Sequence, residues 1–146
     1  MLKESLFEIF ERDLNKLKEE ISLYKDETSL WKVKNEISNS AGNLCLHLIG
    51  NINHFIGAIL GNTGYVRHRE NEFSDKNISR TELISEIEKT IEVVVNTLKK
   101  LSAEDFEKDF PVQKHDKTVK TDFMLLHLLT HFNYHLGQIN YHRRLI

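Results

Sequence analysis

The stretch Thr121–Ile146, TDFMLLHLLTHFNYHLGQINYHRRLI, constrains the chain more than any other, because it holds His127, His131, His135 and His142 and no proline. A proline-free segment of this length forms one long helix, and its opening threonine is a capping-type residue. At about 100° of turn per residue, His131 and His135 fall about 40° apart, in one arc with Met124, Leu128, Phe132 and Ile139. Both imidazoles therefore face whatever the apolar side packs on. His127 lies at the edge of that arc, and about 12 Å of axial rise separates it from His135. The compact pair is HxxxH, since residues four apart are neighbours on a helix. Such a pair offers two nitrogens to an ion like Zn²⁺ or Ni²⁺ at about 2.0–2.1 Å, and the ion then needs a ligand from elsewhere in the chain.

The third ligand is sought on a second helix, which the pattern starts near Ser38 to Ser40, runs through AGNLCLHLIGNINHFIGAIL and stops at Gly61-Asn62. Asn43, His47, Asn51 and His54 form a polar line beside Leu44, Leu48 and Phe55. His47 sits near the apolar face midway along and is the candidate. Taken singly it reads as a core-edge histidine bonded to backbone or water. Taken with His131 and His135, a shared cation is favoured, because three inward imidazoles are costly to bury without partners. His54 lies two turns further on and competes for the role. Cys45 is about 160° round from His47 and reads as a small buried apolar residue. Asn51, His127 and Gln138 are candidates for supporting the ligands from behind. Three protein ligands leave positions open for water and substrate, the mark of a catalytic ion. HFNYH lacks the Glu of HExxH, which excludes that metalloprotease chemistry.

Elsewhere, Leu2, Leu6, Ile9, Phe10, Leu14, Leu17, Ile21 and Tyr24 recur at helical steps and predict a first helix. Residues 25–38 read as a connection with a short turn around Leu30 and Trp31. Residues 62–79 form a long connection able to cover a site, with Tyr65, Arg67 and Arg69 as candidate substrate contacts on charge and position. Ser79-Arg80-Thr81-Glu82 matches a capping box ahead of a third helix, and Ser102-Ala103-Glu104-Asp105 resembles a further single-turn start. Residues 111–120 read as extended or looped chain. His68 and His115 read as solvated loop residues, and His142 either continues the polar line toward the end of the helix or offsets the helix dipole beside Arg143 and Arg144.

The expected fold is all-α, one domain over residues 1–146: a four-helix bundle with a long loop between helices 2 and 3. A single proline, Pro111, favours that class. A net charge of −2 without a concentrated Lys/Arg block argues against nucleic acid or anionic membrane as partner. No apolar stretch approaches the ~20 residues of a membrane span. One cysteine rules out an internal disulfide, and the start lacks a basic region followed by an apolar run, so the expected location is cytoplasmic.

The inward His of LCLHLIGNINH, followed by HxxxHxGQI (His131, His135, Gly137, Gln138, Ile139) and Arg143-Arg144, resembles the DinB-like superfamily, the DinB/YfiT-like metalloenzymes. The resemblance spans nearly the whole chain, and THFNYHLGQINYHRR is its most specific part. It implies a four-helix bundle with a divalent ion, nickel or zinc, on His47, His131 and His135. It further implies a metal-dependent transferase or hydrolase acting on a small electrophile, with a low-molecular-weight thiol as cosubstrate, and a homodimer. The alternative is a non-catalytic metal-binding or structural assembly module.

Overall fold

The computed structural model describes residues 1–146, and every regular element in it is a helix. They are α1 (Leu2–Ser22), α2 (Ala41–Ile52, continued as a π-helix over Asn53–Leu60), α3 (Arg69–Ser74), α4 (Arg80–Lys100), α5 (Ala103–Glu107) and α6 (Thr121–Leu145). The four long helices surround one core, with α1 packed on α4 and α6, and α2 on α4 and α6.

Caps fix several of the starts. Ser40 Oγ accepts from Asn43 N at 3.2 Å to open α2, and Ser79 Oγ accepts from Glu82 N at 3.1 Å to open α4. Only Ser102 forms the full reciprocal box, in which Asp105 also accepts from the Ser102 backbone at 2.7 Å. The turn expected around Leu30 is a 3₁₀ segment, Glu27–Trp31, capped by Asp26. Thr121 does not cap α6, as its spacing suggested: it is the first helical residue, and its hydroxyl donates to Lys108 O at 3.0 Å. The connection 62–79 is not wholly a loop, since it contains α3.

The positive φ that ends α2 falls on Asn62 (φ 51), whereas Gly61 keeps a right-handed conformation. Residues 109–120 form a small antiparallel hairpin whose turn residues, His115 and Asp116, have φ 49 and 60, which matches a type I′ turn. Asn53, where the π winding begins, donates to Ile49 O one turn back on α2 at 2.9 Å and across to Thr90 Oγ1 of α4 at 2.8 Å.

As a continuous helix, Ala41–Leu60 reaches 20 residues and is apolar enough to pass for a membrane span, a length the sequence did not seem to contain. Of its most apolar window, 61% is buried in the fold, so the core accounts for that composition. Helix α6 buries one apolar stripe, and polar ties join it to α1. Asn133 Nδ2 donates to Asp13 at 2.5 Å, Asn140 Nδ2 to Glu20 at 2.8 Å and Arg143 Nε to Glu20 at 2.8 Å. Burial pushes the Glu20 carboxyl up, but the bonds from Arg143 and Asn140 outweigh it and hold the group below its usual range. With these residues committed to α1, His131 and His135 are turned toward α2.

Candidate metal centre

His47, on α2, is buried, and its ring meets the two histidines of α6. Ring centroids lie 5.0 Å apart for His47 and His131, 5.2 Å for His47 and His135, and 4.6 Å for His131 and His135. His47 Nε2 is 3.1 Å from His131 Nε2, and one ring nitrogen of each of the three residues lies within 4.8 Å of the others. Two nitrogens each about 2.1 Å from one ion, at a ligand angle of roughly 90–110°, stand about 3.0–3.4 Å apart. The His47–His131 separation falls inside that interval.

The outer nitrogens are held by oxygen acceptors. His47 Nδ1 donates to Glu72 Oε1 at 2.9 Å, which leaves the lone pair on Nε2. His135 Nδ1 donates to Gln138 Oε1 at 2.7 Å with the same result. An oxygen behind each of these two imidazoles fixes tautomer and ring plane, as behind metal-ligating histidines generally. The donor set thus fits a metal ion. His131 Nδ1 and Asn51 Oδ1 are both buried without a protein partner, and both residues line one small cavity.

Glu72, the first residue that the sequence reading missed, lies on α3 and is 6% exposed. Arg67 grips its carboxylate at both oxygens, Nε to Oε2 at 2.8 Å and Nη2 to Oε1 at 2.9 Å. Burial raises the Glu72 pKa, but bonds from His47 and Arg67 and their charges outweigh it and keep the group below the usual carboxylate range. Asn43 anchors the same turn, donating to Glu72 O and to Asp75 O at 2.9 Å each. The second missed residue is Gly50: a Cβ there would stand 1.9 Å from Glu72 Oε2, so the bare helix surface is what admits the carboxylate. A glycine inside an otherwise regular helical pattern was the available signal.

Burial, joined by the charges of His135 and His47, holds His131 well below the usual imidazole range, at about 4. Burial also lowers His135, against the opposing bond to Gln138. A folded chain with such rings binds fewer protons than the unfolded chain, whose histidines titrate near about 6.5. Metal-free protein is therefore expected to keep its full stability above about pH 6.5 and to lose it progressively toward about pH 4, by a few kcal/mol at most. Urea unfolding across that interval checks this, and His131→Ala should flatten the profile. A wild-type midpoint that does not move would contradict it.

The other candidates divide. Arg67 is committed to Glu72, while Arg69 lines the small cavity with Asn51 and His127. Tyr65 faces a separate cleft shared with Leu46, Ile49 and Glu86. His54 stacks edge-on to Phe55, at 4.7 Å between centroids, outside the cluster. His142 is a buried tie, with Nδ1 bonded to Tyr24 Oη at 2.6 Å and Nε2 to Lys32 O at 2.8 Å, a role that dipole reasoning did not anticipate. Cys45 is fully buried and its thiol is pushed up to about 12, so it stays protonated in the core.

Two spaces adjoin the triad. The small cavity, about 270 Å³, touches His47 and His131; a larger cleft of about 740 Å³ touches His135 and Gln138, with Leu44, Ile37 and Tyr141 on its walls. No curated protein matches the chain. A family model described as a protein of unknown function, DUF1572, matches residues 4–146, and on that match over nearly its full length the chain belongs to the DUF1572 family.

Proposed function

We propose that this protein is a metal-dependent enzyme of the DinB-like type, its four long helices forming that superfamily's bundle and His47, His131 and His135 holding a zinc or nickel ion. The observation that carries the reading is the convergence of one ring nitrogen from each of the three histidines within 4.8 Å, across two packed helices. When bound, such an ion lowers the pKa of a coordinated thiol or water and polarises an electrophile. The chain's own part is to hold the imidazoles oriented. Glu72 and Gln138 keep the Nδ1 protons on the outer side of two rings, and Arg67 keeps Glu72 ionised. The reaction class is transfer of a low-molecular-weight thiol to a small electrophile, or hydrolysis of that electrophile, in the cytoplasm. The 740 Å³ cleft beside His135 is of a size that takes such a reactant.

Protein purified without a histidine tag should carry close to one equivalent of divalent metal per chain, and should turn over members of a panel of electrophiles with a thiol or water. Metal at trace level with no turnover would end this reading. Metal bound without turnover would leave an assembly module in its place.

The partner of the same reading is a second copy. Phe123, Tyr134, Tyr141 and Leu145 are exposed on α6 and, at about 100° per residue, fall within about 40° of one line. Exposed aromatic and aliphatic side chains aligned in this way commonly mark an interface. Phe123→Lys combined with Tyr141→Lys is expected to convert a dimer to a monomer in sedimentation. A wild-type protein that sediments as a monomer would refute it.

A further inference from the structure

We propose that the small cavity beside His47 and His131 receives an anionic group, a carboxylate or a phosphate, carried by one of the reactants. As a statement about substrate it rests on the enzymatic reading above; as a statement about binding it stands alone. The chain carries slightly more acidic than basic residues, yet no Asp or Glu lines this cavity, whereas Arg67, Arg69 and Lys114 do. Arg67 is neutralised by Glu72, but Arg69 and Lys114 have no ion-pair partner in the protein. They arrive from unrelated parts of the chain, one opening α3 and the other beside the type I′ turn of the hairpin.

Local geometry holds both. The Arg69 guanidinium lies 5.2 Å from the centroid of Phe73, whose ring packs in turn on His47 at 4.9 Å. Stacking on a ring face leaves the guanidinium edge free, and that edge is a fork matched to two oxygens of a carboxylate or phosphate. Lys114 is kept in place by paired backbone bonds to Lys117, at 2.8 and 3.0 Å. Asn51 lines the same recess and carries a buried Oδ1 without a protein partner. Two unpaired cations converging on one recess attract an anion more strongly than the same charges spread over the surface. At about 270 Å³ the cavity is below the usual span of about 300–1,000 Å³ for whole-ligand pockets, so it suits a head group whose remainder extends outward.

Titration calorimetry of the full chain at low salt, with inorganic phosphate and separately with acetate, tests this in both metal-loaded and chelated protein. One saturable site per chain is expected. Its affinity should weaken about tenfold or more in Arg69→Ala and in Lys114→Ala, as loss of a charge-assisted bond entails. Lys117→Ala, exposed on the same hairpin, should bind as wild type does, and circular dichroism verifies that each variant is folded. Comparison of the two anions tells which chemistry the site prefers. Absence of saturable binding for both, or binding unaltered in both Arg69→Ala and Lys114→Ala, overturns the proposal. Anion binding that survives in protein unable to take up metal would keep it while the enzymatic reading fails, and metal uptake without anion binding would sink this inference alone.

Discussion

His131→Ala is expected to lower divalent-metal affinity by more than about 100-fold, beyond the roughly 10–100-fold typical of losing a partner behind a ligand. His131 contributes the nitrogen 3.1 Å from His47 Nε2, and no other histidine lies within reach to replace it. His127 sits on the same helix but is not among the nitrogens that converge. Without metal, the variant should be no less stable than wild type near pH 5, because it removes a ring that burial makes costly to protonate. Glu72→Gln should fall between the two, weakening affinity by about 10–100-fold, since the amide oxygen still accepts from His47 Nδ1 but the charge is lost. Competition with a chromogenic chelator measures all three. Equal affinity in wild type and His131→Ala would remove the metal centre altogether.

Gly50→Ala is expected to be the most damaging single-methyl change in the molecule. Helix propensity alone would favour alanine by up to about 1 kcal/mol. The new methyl would stand 1.9 Å from Glu72 Oε2 and 2.6 Å from its carboxyl carbon, so the carboxylate must leave. Glu72 bonds both His47 and Arg67 and lies in a turn pinned by Asn43, so its departure strands several buried polar groups together. Overpacking costs typically about 1–3 kcal/mol, and each stranded partner adds about 1–3 kcal/mol. The damage therefore exceeds the propensity gain, and metal affinity should fall along with the melting temperature. Gly137→Ala supplies the contrast. Nothing lies within 4 Å of a Cβ there, so that substitution should stabilise α6 by about 0.5–1 kcal/mol. If the two alanines behave alike, the close approach of Glu72 to α2 is not what Gly50 serves.

Much of the scaffold was legible because helical periodicity is written locally. The spacing of Leu83, Ile87, Val94 and Leu98 marks the buried face of α4, and Ser79 marks its start. HxxxH on α6 and His47 on α2 could be paired from pattern alone, since each lies at the edge of an apolar stripe. Glu72 was not legible. It stands 25 residues from His47 in a segment with no periodicity to orient it, and its carboxylate is buried only because α3 folds over a glycine. Arg67 was read as a substrate contact on charge, but charge does not tell an unpaired cation from one already bound to a buried carboxylate.

By itself, then, the sequence determined the four long helices, most of their boundaries and the three imidazoles that could converge, because those follow from side-chain spacing along a turn of about 3.6 residues. Tertiary structure decided the rest: the ties of α6 to α1, the partners behind His47 and the basic cavity shared by Arg69 and Lys114. Helix α6 carries one buried apolar stripe, so its own pattern chooses the face turned to the core but not the groups that meet its polar edge. Asp13 and Glu20 of α1 are those groups, buried carboxylates that Asn133, Asn140 and Arg143 reach from α6.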